Sequence, residues 1–167
     1  MEQMNSQEAQ KTREVLKGII ESADVAMLVT TNLEGHIVSR PMQLQKVEFD
    51  GDIWFLTRKD TDKYDEIKHN EIVNVIIAEK SYASITGHAE IVDDLELKKK
   101  FWNDAYKMMF DLDYTDPRVT LLKIHAESAE YWDTGSTIKN IYNFVKKVVG
   151  KEEPVEPSKS TNESIEL

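Results

Sequence analysis

The chain contains no cysteine. Disulfides, thiolate metal sites and a cysteine nucleophile are therefore excluded, and a reducing compartment suits such a chain. Glycine is scarce, and neither G-x-G-x-x-G nor the P-loop pattern occurs, so a nucleotide phosphate would need some other cradle. No segment approaches the roughly 20 consecutive apolar residues of a membrane span. Residues 1–10 are polar and lack the apolar core of a signal peptide. These absences lead to the expectation of a cytoplasmic protein. Basic residues are outnumbered by acidic ones, giving a formal charge of −10. Such a surface repels nucleic acid and anionic membranes, although a few clustered cations can still hold one phosphate. The four histidines, His36, His69, His88 and His125, form no close ligand pair, so no metal is expected.

What remains is a chain of 167 residues with 40% hydrophobic residues, enough for one domain with a core. Asn5 and Glu8 resemble a capping box, and Val15, Leu16, Ile19 and Ile20 share one face of a first helix. Strands are expected at Val25–Thr31, His36–Val47, Ile53–Thr57, Ile72–Ala78 and Tyr82–Val92. Pro41 places the second of these at an edge or a bulge. Asn32–Gly35 reads as a turn and Asp50-Gly51 as a two-residue hairpin. A short helix over Thr61–Lys68 turns Tyr64 and Ile67 inward. One helix is expected over Asp94–Met109, with Leu97, Phe101, Ala105 and Met108 as its stripe. Val119–Trp132 is long for one strand, so two strands or a bent one are expected, with a break near Ala126–Ser128. Ile138–Val149 has the pattern of a last amphipathic helix. The polar, Pro- and Glu-bearing residues 151–167 read as a disordered acidic tail after a domain spanning 1–150. Closely spaced strands with inserted helices imply an α+β fold, with an antiparallel barrel of six or seven strands.

One stretch gathers cations. Thr57 to Lys63 links a strand to a helix and carries two threonines, Arg58, Lys59 and Lys63. Free N–H groups and the dipole at a helix start favour an anion. If the second and third strands pair through Asp50-Gly51, Arg40 falls opposite the end of the third strand. Arg40, Thr57, Thr61 and Lys63 would then converge on one anion, provided that no bulge shifts the register.

Four ordered blocks carry a resemblance. They are Ser39-Arg40-Pro41-Met42, then Trp54 to Thr57 with Thr61-Asp62-Lys63, then Tyr82 to Glu90, then Glu130-Tyr131-Trp132-Asp133. Together they resemble the pyridoxamine 5'-phosphate oxidase-like split barrels, in particular their bacterial general stress protein branch. The resemblance implies an antiparallel split barrel, a homodimer, and FMN at the dimer interface. It implies that Arg40 and Lys63 hold the FMN phosphate with help from Thr61. Leu56 and Thr57 would meet the flavin and ribityl chain largely through backbone. The segment from Arg40 through Pro41, Met42, Gln43 and Gln45 would lie along the isoalloxazine, with Met42 and Gln43 nearest its edge. Tyr82 would contact the flavin, and Trp132 would close the site, often from the partner subunit.

The departures are specific. Gln45 and Asp62 stand where the oxidase proper has basic residues, and Asp133–Thr137 replaces its Arg/His substrate motif. Oxidation of vitamin B6 phosphates is therefore not expected. The expected function is FMN binding, with a flavin-dependent oxidoreductase of the stress-response type as the first reading. A flavin-binding or sensor module without turnover remains open, as does a haem or deazaflavin in the same cleft, with His88 or His125 as axial ligand for haem. No catalytic acid or base is implied.

Overall fold

Strands β1 (Val25–Thr31), β4 (Ile72–Ala78) and β5 (Tyr82–Val92) are rich in β-branched and apolar residues, and along each of them alternate residues are buried. Their inward residues are Ala26, Leu28 and Thr30, then Val73, Val75 and Ile77, then Ala83, Ile85 and Ala89. The computed structural model describes residues 6–133 and 161–167. It adds β2 (Ile37–Gln43), β3 (Asp52–Arg58), β6 (Val119–Asp133) and β7 (Thr161–Glu166). The strands form one antiparallel sheet in the order β2-β1-β4-β5-β6-β3, with β7 also on β6. Its two ends approach each other where the Gln45 N–H donates to the Trp54 carbonyl at 3.2 Å. The result is an α+β antiparallel split barrel. β2 lies at one end of the sheet, where Pro41 costs no ladder bond.

Helix α1 (Ser6–Ser22) lays Val15, Leu16, Ile19 and Ile20 against the main core, as its spacing predicts. Helix α2 (Asp62–His69) packs over β1 and buries Ile67. A second apolar cluster lies outside the barrel under α3 (Leu95–Phe101) and α4 (Asp104–Phe110). It joins Leu56, Phe101, Tyr106, Val119 and Leu121. β3 therefore buries both faces: Ile53 and Phe55 point into the barrel, Trp54 and Leu56 toward the helices. Residues 119–122 at the start of β6 are buried on both faces for the same reason.

Several expectations need correction. Asp50-Gly51 does not join a hairpin. β2 pairs with β1 through the Asn32–Gly35 turn, where the Asn32 side chain accepts from the Glu34 and His36 N–H groups. β3 pairs with β6, whose residues 119–122 are likewise buried on both faces. The helix expected over Asp94–Met109 is broken at Trp102, and Asn103 caps α4 by accepting from the Ala105 and Tyr106 N–H groups. The restart turns Tyr106 inward and leaves Met108 87% exposed. β6 is one strand of 15 residues, and its irregularity falls inside the expected interval: Thr86 faces Ser128 while Gly87 faces Ala126, leaving Glu127 extra. Residues 161–166 are not a disordered tail but β7, because Ile165 enters the main core and Ser128–Asp133 offers a free edge. The proposed cap at Asn5 and the helix over Ile138–Val149 lie outside the described residues. Among the described residues no helix is long and apolar enough to cross a membrane.

Two outcomes follow for stability. A Cβ at Gly87 would sit 2.0 Å from the His125 carbonyl oxygen, a backbone atom that cannot swing away. Gly87→Ala is expected to cost about 3 kcal/mol or more, lowering Tm by roughly 6–12 °C in a thermal melt. Ending the chain at residue 160 removes Ile165 from the core. Its burial is worth about 1.5–3 kcal/mol, partly offset by the ordering entropy of β7. A drop in Tm of roughly 3–10 °C is expected; an unchanged melt would mean that β7 adds nothing.

Candidate functional site

Arg40 stands on the inward face of β2, level with Leu28 of β1. Its guanidinium donates through Nη1 to the Thr30 hydroxyl and through Nη2 to Glu66 Oε2 at 2.7 Å. The Thr30 hydroxyl also donates to Glu66 Oε2, at 2.6 Å. Helix α2 thus meets β1 and β2 at the barrel mouth through a three-membered polar knot. Beside it lies an open cavity of about 420 Å³, lined by Asn32, Val38, Arg40, Thr61, Asp62, Lys63 and Glu66.

Thr61 and Lys63 belong to the start of α2. Thr61 occupies the N-cap position with extended dihedrals but makes no side-chain cap bond. Its hydroxyl instead donates to the Arg58 carbonyl at 2.8 Å. The first N–H groups of the helix are therefore left without a side-chain cap, and they are the natural donors to an anion. The Lys63 ammonium reaches the Thr61 hydroxyl at 3.4 Å. Burial lowers the Lys63 pKa below that of an ordinary lysine, and the Arg40 charge pushes it the same way, with Glu66 opposing. Arg40, Thr61 and Lys63 are thus brought together, though not by the expected hairpin. The packing of α2 across β1 does it.

The other residues singled out by sequence fall elsewhere. Thr57 faces the barrel interior, and its buried hydroxyl has no hydrogen-bond partner among the described residues. The Leu56 side chain joins the second cluster. Because the Trp54 carbonyl faces Gln45 rather than β6, alternation turns the Leu56 peptide groups to the same open edge of β3. Met42 is buried in the main core, whereas Pro41 and Gln43 point to the outer face. No single surface holds all of the Arg40–Gln45 side chains. The Gln45 amide donates to the Tyr106 hydroxyl. Tyr82 and Trp132 are cross-strand partners on the outer face, 49% and 39% exposed, and they do not line the mouth cavity. Near them Val25 and Ile76 are also partly exposed. His88 and His125 lie opposite each other, bonded to Glu127 and to Glu90 and Asp52, also away from the cavity. Among the described residues no group of histidines and carboxylates could hold a metal ion.

Sequence reasoning missed Thr30 and Glu66. A signal for Glu66 existed: Lys63 and Glu66 are three residues apart on a helix and so share a face.

Comparisons with known proteins bear on the family and the fold. Residues 10–155 match the model of the family described as pyridoxamine 5'-phosphate oxidase like. Protein bli-3 of Neurospora crassa is 30% identical over 146 residues, covering 80% of this chain and 68% of its own length. General stress protein 26 of Bacillus anthracis superposes with a TM-score of 0.65 at 27% identity, covering 72% of this chain and 92% of that one. A candidate general stress protein 26 of Jannaschia sp. CCS1 gives a TM-score of 0.70 at 25% identity, with 95% of this chain and 99% of that one covered. With the ordered sequence blocks, the split barrel and a match over most of its length, this chain belongs to the pyridoxamine 5'-phosphate oxidase-like family.

Proposed function

We propose that this protein binds FMN, with the phosphate in the mouth cavity, and that it acts as a flavin-dependent oxidoreductase of the general stress protein type rather than as an oxidase of vitamin B6 phosphates. The observation that carries this reading is the meeting of Arg40, Lys63 and Thr61 in one cavity at an uncapped helix start. That donor set fits a phosphate: a planar fork, a point charge, a hydroxyl and free backbone N–H groups. The orphan hydroxyl of Thr57 and the open edge at Leu56 supply donors and acceptors for a polar chain beyond the phosphate. Bound FMN would supply the hydride or electron transfer. Arg40, Thr61, Lys63 and the first N–H groups of α2 would hold its phosphate.

The outer face supports a homodimer. Tyr82, Trp132, Val25 and Ile76 expose apolar surface on one side of the sheet, with Gln43 level with Val25. A second copy there would bring Tyr82 and Trp132 to the ring of its partner's flavin, where a single chain leaves them apart from Arg40. Against turnover of vitamin B6 phosphates stand Gln45, committed to Tyr106, and Asp62, an acid on the cavity wall.

Titration of purified protein with FMN, followed by flavin fluorescence quenching, tests the reading. Saturation at one FMN per chain is expected, with riboflavin much weaker; no saturation would refute it. Lys63→Ala is expected to weaken FMN by about 1.5–3 kcal/mol, roughly tenfold to a hundredfold, and to leave riboflavin unchanged. The pH dependence has a definite sign. Lys63 is depressed in the free protein, and a bound dianion raises it again. Binding therefore takes up a proton between the two values. Affinity should be full below the free-protein value and fall as pH rises through it, at a lower pH than an ordinary lysine would give. Lys63→Arg should flatten this alkaline limb.

A further inference from the structure

Glu66 is an unusual neighbour for a phosphate site. On α2 it shares a face with Lys63 and precedes Ile67, which is fixed in the core. Anchoring Ile67 therefore holds Glu66 against β1 and β2, where it is only 6% exposed. One of its oxygens, Oε2, accepts from both the Thr30 hydroxyl and the Arg40 guanidinium. The charged side chains lining the cavity are then Arg40 and Lys63 against Asp62 and Glu66, a balanced set.

The balance has two physical effects. Without a ligand, Arg40 and Lys63 would repel each other in a partly desolvated pocket, and Glu66 relieves that repulsion. With a ligand, the same carboxylate lies beside the anion. Arg40 carries five N–H donors and spends two of them on Thr30 and Glu66. It can therefore still donate to a phosphate with this knot intact, but its charge is already matched.

We propose that Glu66 is a built-in counter-charge that caps the affinity of the mouth cavity for phosphate dianions, an inference that rests on the phosphate site proposed above. Glu66 thereby favours a cofactor that loads and unloads over one held permanently. It also keeps the empty site folded.

Glu66→Gln separates charge from geometry, since the amide keeps a carbonyl acceptor for Arg40 in nearly the same volume. Asp65→Asn makes the same charge change on the exposed side of α2 and serves as the control. FMN, riboflavin and inorganic phosphate are titrated into wild type and both variants. Glu66→Gln is expected to bind FMN and phosphate at least about tenfold more tightly, with riboflavin unmoved. Asp65→Asn is expected to change either by less than about twofold. Equal or weaker phosphate binding by Glu66→Gln overturns the inference, as does an equal gain in Asp65→Asn or no phosphate binding by any of the proteins. Tighter phosphate with no FMN binding anywhere would refute the FMN reading and leave the counter-charge standing. Should Glu66→Gln not fold, Glu66→Met removes the charge at similar volume and is expected to shift affinity in the same direction.

Discussion

The architecture depends on β6 being satisfied on every side. Its residues 119–122 are buried on both faces, so a second layer must cover the outside as the barrel covers the inside. The helices α3 and α4 do this, with Phe101 and Tyr106 packed beside Leu121 and Val119. Both edges of β6 must also be paired. β5 takes one edge along nearly its full length, while β3 and β7 divide the other. The division falls at the bulge, where Ala126 donates to the Gly51 carbonyl and Leu167 donates to the Glu127 carbonyl. One extra residue lets the strand change partners without leaving a gap in the ladder.

From that constraint the mouth of the barrel follows. With β3 committed to β6, β2 pairs only with β1 among the described strands. Its inward residue Arg40 then meets the helix lying over β1, rather than the strand after the Asp50-Gly51 turn. A cation from the sheet and a cation from a helix start are thereby held together by tertiary packing. Glu66 is what makes that proximity tolerable. The charged side chains lining this mouth, Arg40 and Lys63 against Asp62 and Glu66, nearly cancel.

Most strands were legible from local pattern. β1 and β4 were legible as short apolar runs bounded by polar turn residues, and β5 by its alternating face, which is the face it buries. The face of α1 was legible for the same reason. Partner choice was not. Asp50-Gly51 is a sound local turn signal, yet β3 pairs with a distant strand whose start shares its two buried faces, the barrel core on one side and the α3–α4 cluster on the other. The break at Trp102 was hidden because Leu97, Phe101, Ala105 and Met108 keep helical spacing across it, and only Asn103 marks the new start. β7 was hidden by composition: one buried isoleucine in a polar stretch gives no periodicity. At the site, Arg40, Thr61 and Lys63 stood out as cations and a cap beside turn residues, and they do meet. Glu66 did not stand out, since a carboxylate on a short helix reads as solvated until its neighbour Ile67 is known to be anchored.

The pairing of Asp133 with Thr161 bears on how much chain the sheet can hold between β6 and β7. These two residues act as a clasp, fixing both ends of the intervening segment 134–160 side by side on the sheet. Closure entropy grows only with the logarithm of length, about 0.6 kcal/mol for each doubling. A change in the number of residues between these anchors therefore adds little closure entropy. The sheet thus fixes where that stretch leaves and returns, while closure leaves its length only weakly constrained.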